Sequence, residues 1–296
     1  MKIAIVILNW NGSNETLSCI YKIRQWSRVL PTIFVVDNNS SDTEKQKLRN
    51  VEKDFHLIEN DENEGFSEGC NVGIRIALKY DIEAILLLNN DAVIEEEDVL
   101  LLIRNMMGNT DIGAIGPLIY DARTNRLINA GGKEIAWHYY TQMKQVKNTL
   151  GFYDVDYVSG TALLVRVEVF KKVGLLDERY FFSGEIADFC KRVKKYKRKN
   201  GRRYRIVIEP NAKATHDIHD PSKDREKLYT YYSIRNRYLY VRKFYKFFSP
   251  ALYFFWLYHH LKHALSSFKQ NRRDVAAFIL KGIFHGLIGK TDRLTK

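Results

Sequence analysis

The sequence predicts an α/β protein in which a mostly parallel sheet is covered by helices and followed by a helical C-terminal extension. In the first half, short apolar runs alternate with segments of helical period, which is typical of strands buried on both faces. The chain has 296 residues, of which 45% are hydrophobic and 28% charged, enough for a sizeable core. Beyond Leu228 the pattern is mostly helical, aromatic and basic.

The elements can be assigned in chain order. We expect strands at residues 3–8, 33–36, 55–58, 84–88, 162–165 and 205–208. We expect helices at residues 15–24, 43–50, 69–80, 99–107 and 185–196. Residues 112–166 have a mixed pattern, and a break in the helical tail is expected at Ser249-Pro250. The expected organisation is a main domain at 1–227, with halves 1–110 and 111–227, and a tail at 228–296.

The three cysteines are scattered and form no CxxC pair. This excludes a disulfide scaffold and a cysteine-rich zinc site, and it indicates a reducing compartment such as the cytoplasm. The longest late apolar run, residues 251–258, is far shorter than the ~20 residues that a spanning helix needs. We therefore expect no membrane span.

The net charge of +12 is unevenly distributed. Residues 1–188 carry an excess of eight acidic residues, whereas residues 189–296 carry an excess of twenty basic ones. The last third of the chain is therefore expected to bind an anionic partner.

Polar residues gather where three of the expected strands end. The clusters are Asn9-Trp10-Asn11, Asp37-Asn38-Asn39-Ser40 and Asn89-Asn90-Asp91. Ligands of open α/β sheets bind beyond the carboxyl ends of the strands, so the three clusters outline one site. The carboxylate of Asp91 could hold a divalent cation on a diphosphate, or it could cap the helix that begins near Glu95.

Several segments occur in an order that resembles a known family. They are Ile7–Gly12, Val35–Ser40, Asn63–Gly73, Leu87–Asp91, Asp177–Phe182, Glu185–Cys190, His216 and Arg235-Asn236. Together they resemble the rhamnosyltransferase-like branch of the family 2 inverting glycosyltransferases, which have the GT-A fold. The resemblance covers roughly residues 1–240.

The resemblance implies a nucleotide-diphosphate sugar donor bound across the ends of the first strands. Asp37 would accept hydrogen bonds from the base and Trp10 would offer it a flat face, with Asn9, Asn71, Asn89 and Asn90 completing the donor site. Asp91 and His216 would hold Mg²⁺ or Mn²⁺ on the diphosphate. Three alternatives stay open: an Asx-turn for Asp37, a helix cap for Asn71, and His219 in place of His216.

Inversion needs a base that deprotonates the acceptor hydroxyl. The family commonly supplies an acidic pair, but here the second acid of that pair is replaced by Ile186. We therefore expect Glu185 to be the base, and Asp188 to hold an acceptor hydroxyl or orient the helix. Both acids would also be favourable in the first turn of a helix without any catalytic role.

The sequence thus predicts an inverting, metal-dependent glycosyltransferase. It would move a sugar, with dTDP-rhamnose as the first donor to test, to a growing cell-surface glycan or a lipid-linked oligosaccharide. The alternatives are a sugar-nucleotide nucleotidyltransferase and a non-catalytic glycan- or nucleotide-binding relative. Intact Asp91 and Glu185 weigh against the last of these.

The aromatic and basic tail has two competing interpretations. It could bind the cytoplasmic face of an anionic membrane peripherally, or it could be helical cover for the catalytic core. Nucleic acid is not expected as a partner, because no recognised RNA- or DNA-binding motif accompanies the basic residues.

Overall fold

The computed structural model describes residues 1–139, 141–147, 151–217 and 223–294. Within them, the strands are β1 (Ile3–Asn9), β2 (Thr32–Asp37), β3 (His56–Glu59), β4 (Ala84–Asn89), β5 (Ala92–Ile94), β6 (Ile112–Asp121), β7 (Leu127–Asn129), β8 (Tyr153–Asp154), β9 (Ala162–Arg166) and β10 (Arg205–His216). The α-helices are α1 (Ser13–Arg24), α2 (Asp42–Arg49), α3 (Gly65–Ala77), α4 (Glu96–Gly108), α5 (Val167–Val173), α6 (Glu185–Lys195), α7 (Lys223–Phe244), α8 (Ser249–Lys269) and α9 (Arg273–Ile288).

The described strands form one mixed sheet in the order β3-β2-β1-β4-β9-β6-β10-β5, with β7 beside β6 and β8 beside β10. The first four strands are parallel to one another, as the alternating pattern predicts. Strand β9 runs antiparallel to both of its neighbours and joins this block to the parallel pair β6–β10. The predicted mostly parallel sheet is therefore confirmed, with β9 as an antiparallel insertion.

Both faces of the sheet are covered, which explains why its central strands are apolar throughout. Along β1, Ile5 and Ile7 enter one buried cluster, while Ala4 and Val6 enter the cluster on the opposite face. Alternate side chains point to opposite faces of a strand, so every position of a strand buried on both faces favours an apolar residue. Polar residues begin only where β1 ends, at Asn9.

The ten-residue strand β6 lies in the segment whose pattern was mixed. Gly113 and Gly116 interrupt its apolar run because neighbouring elements come very close there. A Cβ added at Gly113 would lie 2.9 Å from Cβ of Tyr204, and one added at Gly116 would lie 3.1 Å from Cβ of Val158. The two glycines thus permit close packing inside the sheet rather than marking turns.

The last three helices pack on one another and on the sheet domain. The predicted break is confirmed, since α8 begins at Ser249 with a proline in its first turn. A third buried cluster joins the inner faces of these helices to Ile135 and Ala136 of the loop after β7. None of the helices in the described part of the chain combines the length and the apolar character that crossing a bilayer requires.

Candidate active site

The ends of β1 and β2 are joined by a buried hydrogen-bond network. Asn9 lies opposite Asp37 in the parallel ladder, and its Nδ2 donates to Oδ1 of Asp37 at 2.7 Å. Ser40 donates its hydroxyl to the same oxygen at 2.6 Å and its backbone N–H to Oδ2 at 2.9 Å. Both Asn9 and Asp37 are fully buried. Asp37 thus accepts from the backbone three residues on, rather than two as in an Asx-turn, and its contact with a nucleobase stays a prediction.

Trp10 follows Asn9 of this buried network, and 56% of the surface of Trp10 is exposed. The next residue, Asn11, has a φ of 53°, which Asn tolerates better than most residues. Its backbone N–H donates to the hydroxyl of Ser40 at 2.8 Å, and its side-chain oxygen accepts from the N–H of Ser41 at 2.8 Å. The turn that carries Trp10 is thus tied to the turn after β2, and the indole stays open to a ligand.

The remaining predicted donor-site amides lie near the same edge. Asn89 ends β4 beside Leu8, and its backbone N–H donates to the carbonyl of Thr161. Asn90 donates to the carbonyl of Gly12 at 3.1 Å, which ties the β4 end to the first loop. Asn71 exchanges hydrogen bonds of 2.9 and 3.0 Å with the backbone of Leu176, so its amide anchors α3. Contacts of these three amides with a donor stay predictions.

Asp91 and His216 are brought together by the pairing of β5 with the end of β10. His216 lies opposite Ala92, and its Nε2 is 3.0 Å from Oδ1 of Asp91. The two atoms are not aligned for a hydrogen bond, both are buried, and neither has another partner among the described residues. Asp91 does not cap the following helix, because Glu95 holds the N-cap position of α4. His219 lies outside the described residues.

This pair of orphaned atoms fits a divalent cation that is shared with a substrate. The described residues contain no group of three or more acidic, histidine or cysteine side chains suited to hold a metal ion by themselves. Mg²⁺ and similar ions in phosphate-transfer sites are usually held by one or two protein groups, with phosphate oxygens and water completing the shell. Asp91 and His216 could therefore hold the ion together with a diphosphate.

Glu185 opens α6 after two residues in the left-handed region, Ser183 (φ 71°) and Gly184 (φ 95°). Only 8% of Glu185 is exposed, and its Oε2 has no hydrogen-bond partner among the described residues. Burial raises the pKa of the carboxyl from 4.5 to about 7, and the nearby charge of Asp188 adds to the shift. A carboxyl with a pKa close to neutral is suited to exchange a proton with a substrate.

The start of α6 contacts the loop before β9, and this loop in turn contacts the end of β4. Thr161, whose carbonyl binds Asn89, follows Gly160, and a Cβ added at Gly160 would lie 3.1 Å from Cγ1 of Ile186. Ile186 itself is buried in the core cluster that lines this face of the sheet. The residue that replaces the family's second acid therefore packs inward, while Glu185 keeps a free carboxylate oxygen.

Asp188 is fully buried and saturated with cations. Arg192 donates to its Oδ2 at 2.8 Å, and Lys243 of α7 donates to its Oδ1 at 2.5 Å. Lys243 also donates to Asp177 at 2.7 Å, and Asp177 pairs with Arg179. This network fixes α6 against α7, which favours orientation of the helix as the role of Asp188.

Residues of α7 hold the turn before Glu185, a role that the sequence did not reveal. Asn236 donates to the carbonyls of Phe182 and Ser183, at 2.9 and 2.5 Å. Arg235, in one of the segments that resemble the family, is fully buried and donates to the carbonyls of Arg179, Thr291 and Asp292. Its guanidinium therefore holds backbone segments together.

The family to which this architecture belongs is shown by comparison with known proteins. The chain belongs to glycosyl transferase family 2, whose family model matches residues 4–174. It is therefore a nucleotide-sugar glycosyltransferase of the hexosyltransferase type, which confirms the predicted family and enzyme class. Membership also favours this hypothesis over the nucleotidyltransferase and the non-catalytic alternatives.

Particular relatives refine the comparison. The chain is 29% identical over 251 residues to the dTDP-rhamnosyl transferase RfbF of Shigella flexneri, covering 80% of this chain and 79% of that protein. It is 27% identical over 255 residues to the low-salt glycan biosynthesis hexosyltransferase Agl10 of Haloferax volcanii, covering 80% and 74%. The mannosyltransferase PcManGT of Pyrobaculum calidifontis, solved with GDP-Man and Mn²⁺, aligns at a TM-score of 0.61 and 13% identity over 98% of this chain and 88% of that one. At that identity the likeness shows the fold alone, and the fold is GT-A.

Proposed function

We propose that the protein is an inverting, metal-dependent glycosyltransferase that moves one sugar from a nucleotide-diphosphate sugar to a hydroxyl of a growing surface glycan or lipid-linked oligosaccharide. The observation that carries the proposal is a set of three buried ionisable atoms without hydrogen-bond partners in the described chain. They are Oδ1 of Asp91, Nε2 of His216 and Oε2 of Glu185. Buried polar atoms are normally satisfied, but Asp91 Oδ1 and His216 Nε2 face only each other at 3.0 Å and Glu185 Oε2 has no partner, which supports a metal and a substrate at these positions.

The donor is proposed to lie across the ends of β1, β2 and β4. The exposed indole of Trp10 packs on the base, and the buried network of Asn9 and Asp37 keeps that loop rigid. Asp91 and His216 hold Mg²⁺ or Mn²⁺ against the diphosphate. When bound there, the cation supplies the positive charge that a departing diphosphate requires.

Glu185 is proposed to act on the acceptor. Its carboxylate takes the proton of the acceptor hydroxyl while the hydroxyl oxygen forms a bond to the anomeric carbon. The bond from that carbon to the diphosphate oxygen breaks on the opposite face, so the configuration inverts and the nucleoside diphosphate leaves with the electron pair. Asp188 acts as a positioning residue, because both of its oxygens already accept from cations.

The first donor to test is dTDP-rhamnose, the donor implied by the name of the Shigella flexneri relative. We expect hydrolysis of this donor in the absence of acceptor to require Mn²⁺ or Mg²⁺, and the donor with metal to raise the melting temperature. A panel of other nucleotide sugars serves as the comparison. If no nucleotide sugar is hydrolysed or stabilises the protein in the presence of metal, the proposed function is wrong.

The division of labour within the chain follows the same proposal. Residues 1–110 bind the donor, residues 111–227 carry the base and receive the acceptor, and residues 228–296 form the helical tail. The tail also reaches into the acceptor half, since Lys243 fixes Asp188 and Asn236 holds the turn before Glu185. We therefore expect the tail to be required for catalysis as well as for any attachment.

The outer face of the tail is proposed to bind an anionic membrane surface. Helix α8 exposes apolar side chains at helical spacing, and α9 does the same: Phe254, Tyr258, Leu261, Leu265, Phe268, Leu280, Phe284 and Ile288. Residues 245–290 carry seven Lys or Arg and one Asp or Glu. An apolar stripe accompanied by cations suits the headgroup region of an anionic leaflet, where lysine stems can extend to the phosphates.

A further inference from the structure

The guanidinium of Arg237 lacks the partners that other inward-facing cations of α7 have. Arg235 and Lys243 are saturated with carbonyls or carboxylates. Arg237 is partly buried, yet among the described residues it forms neither an ion pair nor a hydrogen bond, and its nitrogens are not sealed from solvent. Burial lowers the pKa of this group to about 10. A cation held in this way is typical of a site that receives an anion.

Aromatic side chains surround this cation. Cζ of Arg237 lies 3.9 Å from the ring centroid of Trp256 on α8. The indole is fixed by a 2.9 Å hydrogen bond to the carbonyl of Ala136, and Tyr139 stacks on it at 6.2 Å between ring centroids. Tyr157 and Tyr229 complete the surroundings, and their phenol groups interact electrostatically with the guanidinium. Tyr139 and Tyr229 are also exposed, so the cluster opens to solvent.

The cluster reaches the turn that precedes Glu185. Burial raises the pKa of the Tyr229 phenol, the carboxyl of Glu185 adds to that shift, and Ser183 and Arg237 oppose it. Tyr229 also packs edge-on against Phe182 of the turn that precedes Glu185, with ring centroids 5.9 Å apart.

We propose that Arg237 and the rings around it form the acceptor subsite, which takes a sugar next to a phosphate ester. This inference rests on the proposed function, since it supplies the hydroxyl that Glu185 deprotonates. The guanidinium binds the phosphate, for which its planar fork is well suited. The flat rings of Tyr139, Tyr157 and Tyr229 pack against the C–H faces of the sugar.

The phosphate could belong to a lipid diphosphate carrier or to the glycan itself, and calorimetry can separate the two. The probes are glucose linked through diphosphate to a short alkyl chain, glucose 6-phosphate, and the neutral methyl glucoside. Titrations are run in EDTA, so that no metal retains a phosphate at Asp91 and His216. Preference for the first probe indicates a lipid-linked acceptor, and preference for the second indicates a phosphorylated glycan.

The variants are Arg237→Gln, Arg237→Lys and the matched control Arg273→Gln, which removes an exposed arginine that also lies over a ring, that of Phe268. We expect Arg237→Gln to weaken binding of the preferred phosphate probe by about 10- to 100-fold, the usual effect of losing a hydrogen-bonded charge partner. Arg237→Lys should bind with intermediate affinity, and the control should match the wild type. If Arg237→Gln does not fold, Arg237→Lys carries the comparison alone.

Two results would overturn the subsite. One is that neither phosphate probe binds the wild type at millimolar concentration, and the other is that the Arg237 variants bind the preferred probe as the wild type does. The second result, with a lowered melting temperature, would make Arg237 a structural cation for the α7–α8 contact. Hydrolysis of donor by the wild-type protein is measured separately, so failure of this subsite is distinguishable from failure of the proposed function.

Discussion

Replacing Glu185 by Gln should produce an enzyme that is less active and more stable. In the folded protein the pKa of Glu185 is raised from 4.5 to about 7. Each tenfold difference in acidity corresponds to about 1.4 kcal/mol, so the buried carboxylate costs roughly 3 kcal/mol of folding free energy once it is ionised. The stabilising contribution of the protonated Glu185 is therefore complete below about pH 4.5 and is lost as the pH rises through about 7.

A neutral amide avoids the cost of burying the charge. At pH 8 we therefore expect Glu185→Gln to be more stable than the wild type by up to ~3 kcal/mol, and so to unfold at a higher temperature. Its stability should also change less between pH 5 and pH 8. The turnover number should fall by ~10²–10⁴ because the base is gone, while the dissociation constant of the donor stays within about threefold. In the wild type, activity should rise as the pH passes through about 7.

The matched control is Asp188→Asn, a change of the same kind one turn along the helix. Asp188 is held by Arg192 and Lys243, so its neutralisation leaves Arg192 without a carboxylate partner and Lys243 with Asp177 alone, and should lower stability by ~2–3 kcal/mol. The two variants are thus expected to shift the melting temperature in opposite directions. A Glu185→Gln enzyme that keeps full turnover, or a wild-type rate that is constant from pH 6 to pH 9, would refute the reasoning.

Two further predictions concern the donor and the membrane. Trp10→Ala should raise the KM for the donor by roughly 10-fold or more with little change in kcat, because base stacking contributes ~1–3 kcal/mol; an unchanged KM in steady-state assays would contradict the placement of the base. The wild type should co-sediment with phosphatidylglycerol vesicles, less so at high salt, and the double variant Phe254→Ser and Leu265→Ser should bind several-fold more weakly. Leu30→Ser is the control, because Leu30 is an exposed leucine outside the tail. If the wild type does not bind vesicles, and light scattering shows a dimer that the same double variant dissociates, the stripe is a self-association surface instead.

The strands of the nucleotide-binding half could be predicted from the sequence because strands buried on both faces consist almost entirely of apolar residues. Strands β1, β2 and β4 are buried on both faces and therefore apolar throughout, and polar residues begin where each one ends. Strand β6 could not be recognised in the same way. Its glycines are needed because Tyr204 and Val158, which come from distant parts of the chain, pack closely against them.

The chemical state of the candidate base also depended on distant residues. The helical period places Arg192 four positions after Asp188 but Phe189 four positions after Glu185, so only part of the difference between the two acids is visible in the sequence. The second cation on Asp188 could not be predicted, because Lys243 lies 55 positions later and reaches across from α7. The inner face of the tail covers the core, as one interpretation of its composition expected, whereas binding of its exposed apolar outer face to a membrane stays a proposal.

The most direct test of the account is Mn²⁺ binding at the Asp91–His216 pair. Electron paramagnetic resonance of free Mn²⁺ measures binding in the presence of dTDP, with Asp42→Asn as a control at an exposed carboxylate. We expect the wild type and the control to bind the ion equally in the presence of the diphosphate, and Asp91→Asn and His216→Gln each to weaken binding by at least about 10-fold. Equal affinity in all four proteins would contradict the assignment of this pair as the metal site.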